Sequence, residues 1–408
     1  KKMSKQKIVV AYSGGLDTSV IVKWLSEKYD AEIITFTGNL GFAKELNGLE
    51  EKAKKTGASK VYVMDLRKEF IENYAFKALA AGALYEGAYP LATAIGRPLL
   101  GKKMVEIAEM ENAKIVAHGC TGKGNDQVRF EMAVQCLNPE LQVLAPLRFW
   151  EFKSREEEID YALANNIPIT ITKEKPYSID ANLWGIEIEC GELEDPECAP
   201  PEDAYQITVN PKNAPNEERI VKITFEKGAP VALNDELLSG EILVERLNAI
   251  GASCGVGRLD IIENRVVGIK SREVYEAPAA VILHKARFEL EKLTLDKETF
   301  RFKNFVGDKI ANMIYEGMWF TPLFESLMAF VDKAKESISG EIKMKLYKGN
   351  CEAISRKSIF SLYNPKLATY SKEDEFDHKS AEGFLKLYCL PYKTIAKTKK
   401  QEAEIYER

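Results

Sequence analysis

Residues 8–19 read IVVAYSGGLDTS. A β-branched run breaks at two glycines, and these open a stretch in which Leu16, Val20, Ile21, Trp24 and Leu25 share one helical face. Strand, tight turn and helix follow one another within a few residues. Gly14 and Gly15 reach backbone angles closed to other residues, so consecutive N–H groups can point into one concavity. The helix N-terminus adds roughly half a positive charge. Ser13, Thr18 and Ser19 add hydroxyls. Together these make an anion cradle suited to pyrophosphate. The GxxxxGK[ST] spacing of a Walker loop is absent.

The same alternation continues. Short Val- and Ile-rich runs at 8–12, 33–36, 61–64, 115–118 and 143–145 predict buried strands. Helical patterns at 16–25, 44–56, 67–81, 102–111 and 126–137 lie between them. Alternating β and α elements predict a parallel sheet with helices on both faces, and ligands outside the carboxyl ends of its strands. The order changes after about residue 165. Residues 192–203 are acidic and Pro-rich and predict a connecting loop. Strands are expected at 205–209, 220–225, 231–233, 341–347 and 352–355, and helices at 241–250, 279–293, 299–315 and 323–337. This predicts an α/β chain in three parts: a nucleotide-binding domain over 1–165, a mixed α+β domain over 166–373, and an arm over 374–408. The arm carries an apolar patch, Phe384, Leu385, Leu387 and Leu390, that needs another surface to bury it.

Composition narrows the function. Lys plus Arg is 57 against 62 Asp plus Glu, a net charge of −5, which argues against nucleic acid as the main ligand. Seven cysteines without CxxC spacing suit a reduced cytoplasmic chain, and three scattered histidines suggest no metal site. The N-terminus lacks a signal peptide's apolar run. The most apolar stretch, 78–100, contains Glu86, Pro90, Arg97 and Pro98, so no membrane span is expected.

A second motif, HGCTGKGNDQVRF over 118–130, also follows a strand and opens a helix. Its three glycines let the backbone approach a ligand, while Thr121, Asn125, Asp126 and Arg129 surround the loop with donors and acceptors. Asn125 and Arg129, four apart, share a helix face, and Arg129 is suited to a carboxylate. Cys120 lies inside this loop, but no nucleophilic role is expected of it.

The first loop resembles those of the pyrophosphatase-loop ATPases, which cut ATP to AMP and pyrophosphate. Transfer of AMP onto a carbonyl oxygen turns a poor leaving group into a good one. The pair AYSGGLDTS and HGCTGKGNDQVRF is similar to the argininosuccinate synthetase family, as are YSIDANLWG (177–185), GVGRLDIIENRVVGIKSREVYEAP (255–278) and SLYN (361–364). The resemblance spans nearly the whole chain. It implies an N-terminal domain of the adenine nucleotide α-hydrolase type, a synthetase domain and an oligomerisation arm. It also implies the reaction of citrulline, aspartate and ATP to argininosuccinate, AMP and pyrophosphate through citrullyl-AMP. By resemblance, Ala11, Tyr12, Ser13, Gly14, Gly15, Leu16, Asp17, Thr18, Ser19, Gly38 and Gly119 line the ATP site. Thr121, Asn125 and Asp126 hold aspartate; Tyr89, Asn125, Arg129, Ser178, Glu263 and Tyr275 hold citrulline, with Glu187 at a further citrulline-site position. Ser13, Asp17 and Asp126 carry the catalytic roles, Mg2+ arrives on the ATP phosphates, no protein metal site is implied, and the assembly is a homotetramer in the cytoplasm without membrane or nucleic-acid partners.

Four positions depart from the family pattern. Phe42 stands where Gln is expected, Cys254 where His is expected, and Ala94 and Glu187 where serines are expected. Glu187 adds a charge where a neutral hydroxyl belongs. These departures leave one alternative, a nucleotide-binding member with altered or lost citrulline ligase activity. A tRNA-modifying enzyme with the same loop would need reactive cysteines and a basic surface, and the chain has neither a CxxC nor a positive balance.

Overall fold

A computed structural model of the chain describes residues 5–42, 46, 48–169 and 177–406. Its packing separates two units, Lys1–Phe360 and Ser361–Arg408.

The first unit opens with β1 (Lys7–Ala11), α1 (Leu16–Lys28), β2 (Glu32–Asn39), α2 (Leu49–Thr56) and β3 (Lys60–Asp65). Lys44, the expected start of the second helix, lies outside the described residues. A helical run follows: α3 (Arg67–Phe70), a π-helical turn (Ile71–Ala75) and α4 (Phe76–Ala81). Then come α5 (Ala92–Met110), β4 (Ile115–Ala117), α6 (Asp126–Leu137), β5 (Gln142–Leu144) and α7 (Arg155–Ala164). The five strands form a parallel sheet in the order β3-β2-β1-β4-β5. Ile8, Val9 and Val10 are fully buried, as expected of a central strand covered on both faces. The order reverses direction between β1 and β4, which opens a crevice above their carboxyl ends. The α/β nucleotide-binding class read from the sequence is the one observed.

Helix α5 begins at Ala92 rather than near residue 102, and runs through Pro98. A proline there removes one backbone donor, which the surrounding packing tolerates: Pro98, Leu99, Ile95 and Ala94 are all buried.

Two antiparallel sheets complete the unit. One is β6 (Ser178–Asn182), β7 (Gly185–Glu189), β11 (Arg258–Asn264) and β12 (Lys270–Glu276), in the order β11-β12-β7-β6. The other is β8 (Arg219–Glu226), β9 (Ala229–Leu233), β10 (Glu236–Leu237), β13 (Gly340–Tyr347) and β14 (Asn350–Lys357), in the order β10-β9-β8-β13-β14. Helices α8 (Gly240–Ser253), α9 (Pro278–Thr294), α10 (Lys297–Tyr315) and α11 (Pro322–Ala334) accompany them. Asn182 ties the first of these sheets to α5. Its Nδ2 donates to the Ala92 carbonyl at 2.8 Å, while its Oδ1 accepts from the Trp184 and Gly185 N–H groups at the β6–β7 turn.

The strand expected at 205–209 does not form. The N–H groups of Gln206, Ile207 and Thr208 donate instead to the buried Glu276 carboxylate at 2.6, 3.1 and 2.7 Å, and the Thr208 hydroxyl joins them at 2.6 Å. One side chain takes the donors that a neighbouring strand would otherwise accept.

The second unit holds α12 (Pro365–Ala368), α13 (His378–Tyr388) and α14 (Leu390–Tyr406). Asp377 caps α13 by accepting from the Lys379 N–H. Phe384, Leu385, Leu387 and Leu390 are exposed.

Candidate active site

The phosphate loop spans the turn from β1 into α1. Gly14 takes φ +80°, and a Cβ there would meet Leu49 Cδ1 at 2.4 Å, so both angle and space call for glycine. Gly15 caps α1 without a side-chain hydrogen bond, which leaves the first-turn N–H groups free of a capping side chain. Ser13 Oγ accepts the Gly15 N–H at 3.3 Å and lies 3.1 Å from Thr18 Oγ1. Lys52 on α2 donates to the Gly14 carbonyl at 2.6 Å and braces the loop from behind.

The expected residues divide around a cavity of about 410 Å³. Ala11, Tyr12, Ser13 and Thr18 line it, with Gly38 from β2 and Gly119 after β4. A Cβ on Gly38 would meet Leu100 Cδ2 at 2.4 Å, so any larger residue there must push the leucine's end aside. Gly14, Gly15, Leu16, Asp17 and Ser19 stand outside that lining. Leu16 packs with Val20 and Ile167. Ser19 is buried, and its hydroxyl donates to the Gly15 carbonyl at 2.7 Å. Asp17 faces Glu158 of α7, whose carboxyl is pushed up to about 8 by burial and by the neighbouring Asp17 charge.

A second cavity of about 250 Å³ adjoins the first, and Gly119, Cys120, Asp126 and Asp180 belong to the walls of both. Of the residues singled out in the sequence, Thr121, Asn125, Asp126, Arg129, Ser178 and Glu187 line it. Tyr89, Glu263 and Tyr275 form the layer behind. Tyr89 and Tyr275 stack with centroids 4.0 Å apart, and the Tyr275 hydroxyl donates to Glu263 at 2.7 Å. Tyr315 of α10 joins them, donating to the other Glu263 oxygen and accepting from Asn125 Nδ2 at 2.9 Å. Arg129 donates from Nε to the Tyr315 carbonyl at 2.9 Å. Residues far apart in the chain thus meet on one wall.

Charges alternate across that wall. Arg97 of α5 donates from Nε to Asp126 Oδ2 at 2.8 Å and also pairs with Asp180. Arg129 holds the other Asp126 oxygen at 3.0 Å. Burial alone would raise the Asp126 carboxyl, but the two guanidiniums outweigh it and hold the group below its usual range. Asp126 is therefore a fixed anion at neutral pH. Burial raises Glu263 despite its two tyrosine donors. Burial and Glu189 push Glu273 up to about 7. Cys120 is pushed up to about 12, first by burial and then by Asp126, so it stays a thiol.

His118 is buried, and its Nδ1 accepts the Cys120 N–H at 3.2 Å, which assigns the proton of a neutral ring to Nε2. Of the departing positions, Glu187 faces the second cavity, where its Oε2 accepts from the Thr93 hydroxyl at 2.6 Å. Ala94 is fully buried next to Thr93. Phe42 takes φ +55° beside Gly41 of the first cavity. Cys254 is buried at the end of α8 and lines neither cavity.

Sequence reasoning missed Arg97, Asp180, Arg265, Glu273 and Tyr315. Arg97 carried a signal as the lone cation in the apolar stretch 78–100, and Asp180 sits within YSIDANLWG. Tyr315 gave no local signal, because only the fold brings α10 to α6.

Comparison with known proteins meets this geometry. Residues 7–168 match the arginosuccinate synthase N-terminal HUP domain, and residues 177–395 match the arginosuccinate synthase C-terminal domain. The argininosuccinate synthase of Pelodictyon phaeoclathratiforme is 60% identical over 394 residues, covering 97% of this chain and 98% of the relative. That of Chlorobium limicola is 59% identical with the same coverage, and that of Chlorobaculum tepidum is 58% identical over 401 residues, covering 98% and 100%. The chain belongs to the argininosuccinate synthase family.

Proposed function

We propose that the protein joins citrulline and aspartate to argininosuccinate at the cost of ATP cleavage to AMP and pyrophosphate, and so serves arginine biosynthesis. The observation that carries this reading is the pair of adjoining cavities, one edged by an anion-binding loop and the other by alternating acids and guanidiniums, with Asp126 common to both.

ATP enters as its Mg2+ complex, the ion held mainly through the phosphates. The loop over Ala11 to Ser19 takes the phosphates, with Ser13 and Thr18 lining the cavity and Asp17 acting from outside that lining, while Gly38 and Gly119 admit the rest of the nucleotide. The citrulline ureido oxygen attacks the α-phosphorus, and pyrophosphate leaves with the bonding pair. Asn125, Arg129, Ser178 and Glu187 hold citrulline for that attack, backed by Tyr89, Glu263 and Tyr275. The aspartate amine, positioned by Thr121, Asn125 and Asp126, then attacks the ureido carbon. AMP leaves with the C–O pair, and the nitrogen loses a proton. Asp126 is clamped as an anion between Arg97 and Arg129. A carboxylate held below its usual range is a weak base, so its part is to accept a hydrogen bond and aim the amine.

We also propose the division 1–165, 166–373 and 374–408, with the last segment the arm of a homotetramer. Its exposed Phe384, Leu387 and Leu390 suit burial against another copy. Seven free cysteines suit the reducing cytoplasm. No described helix is long and apolar enough to cross a membrane. The deciding assay measures pyrophosphate with citrulline and aspartate added singly and together. Sustained release is expected only with both, and release independent of citrulline overturns the reading.

A further inference from the structure

The backbone of the phosphate loop is held from behind at three carbonyls. The Thr37 hydroxyl of β2 donates to the Tyr12 carbonyl at 2.5 Å. The Ser19 N–H and hydroxyl donate to the Gly15 carbonyl at 3.1 and 2.7 Å. The Gly14 carbonyl accepts from the Lys52 ammonium at 2.6 Å. The first two donors belong to the strand beside the loop and to the helix that the loop opens. The third arrives from another helix on one long side chain.

Helix α2 is built to bring it there. Leu49 and Lys52, three apart, share a face, and Leu49 Cδ1 fills the space where a Cβ on Gly14 would stand. The other lysines of α2 differ. Lys54 pairs with Glu50 and Lys55 with Glu51 along the exposed face, while Lys52 makes no ion pair among the described residues. Lys52 lines neither cavity of the active site, so its reach is to the loop and not to what the loop holds.

A trans peptide points its C=O and N–H in opposite directions. With the Gly14 carbonyl drawn toward α2, the Gly15 N–H faces the other way, where Ser13 Oγ lies at 3.3 Å. A flip of this one peptide would turn a carbonyl toward the phosphates in place of the N–H. The flip rotates φ of Gly15 by about half a turn, from −71° into the positive region, which glycine enters freely. Two glycines in a row give the loop its shape but leave open which face of their peptide it presents. We propose that Lys52 makes that choice as a positioning residue, pinning the Gly14–Gly15 peptide with its N–H toward the anion. The proposal rests on reading this loop as the site of the ATP phosphates.

The test uses the full chain and a double-mutant cycle. K52M keeps the stem and removes the donor. G15A accepts φ −71°, where its Cβ stands 3.4 Å from Ser13 Oγ, and closes the positive region that the flip needs. With about a tenth of K52M loops left competent, the ATP KM and the dissociation constant of inorganic pyrophosphate are expected to rise about tenfold. Whatever G15A costs alone, adding K52M to it is expected to cost less than about twofold, because the flipped state is closed. K52A runs the same cycle should the methionine variant fail to fold. An equal loss in both backgrounds overturns the proposal, because Lys52 then acts without turning the peptide. Unchanged pyrophosphate affinity in K52M overturns it as well. Pyrophosphate binding needs neither citrulline nor aspartate, so the two readings fail separately. A chain that shows the cycle but releases no pyrophosphate on citrulline supports this proposal and overturns the ligase reading. A wild type that makes product without the cycle overturns this proposal alone.

Discussion

Ser13 sits at the open end of the phosphate loop, exposed, with its hydroxyl among Gly15 N–H and Thr18 Oγ1. Charge builds on pyrophosphate as the α-phosphorus bond breaks, and a hydroxyl fixed there stabilises it more than it stabilises bound ATP. Ser13→Ala is expected to lower kcat about 100- to 1,000-fold, the loss typical of one oxyanion donor. The apparent ATP KM should move far less. A Ser13→Ala chain that releases pyrophosphate at the wild-type rate takes Ser13 out of the chemistry. Glu187 shows what residue identity alone conceals. In the sequence it reads as an added charge, and only the fold shows that burial and anionic neighbours push its carboxyl well above the usual range.

At the scale of elements, legibility followed burial. The central strands β1 and β2 are covered on both faces, so they appear as Val and Ile runs. Strands β6, β7, β11 and β12 were invisible for the opposite reason. One face of this sheet carries Ser178, Asp180, Glu187 and Tyr275 toward the second cavity and the layer behind it. Polar side chains occupy positions where an apolar alternation would announce a strand. Residues 205–209 erred the other way: alternating Tyr, Ile and Val suggested a strand, but Glu276 supplies the acceptors. Glu276→Gln turns one of those acceptors into a donor facing N–H groups. It is expected to cost about 1.5–3 kcal/mol of stability, the range for hydrogen bonds to a charged group. Amide exchange should quicken at Gln206, Ile207 and Thr208 while the phosphate loop stays protected. Equal exchange in both proteins would show that the segment is held by other contacts.

At the scale of the whole molecule, the two motif loops were legible because glycine spacing is local, whereas the wall that joins their cavities is not. Arg97, Asp180 and Tyr315 come from three separate stretches of chain and meet only once helices and sheets have packed. The arm is a different matter. Its exposed Phe384, Leu385, Leu387 and Leu390 exceed what a short segment can bury on itself. Removing residues 374–408 is expected to lower the oligomeric state seen by light scattering and to leave nucleotide binding by the first unit in place. A full-length chain that is monomeric at micromolar concentration ends the idea of an exchanged arm.

Asp126 belongs to both cavities at once, gripped by Arg97 on one side and Arg129 on the other. A ligand that changes the grip from one chamber alters the surface offered in the other. Thermodynamic reciprocity then applies: if filling the nucleotide chamber multiplies the equilibrium affinity for the amino acid by some factor, filling the amino-acid chamber multiplies the affinity for the nucleotide by the same factor. If a ligand in one chamber shifts this shared carboxylate, the two chambers are coupled, each responding to the other's occupancy before a bond is broken.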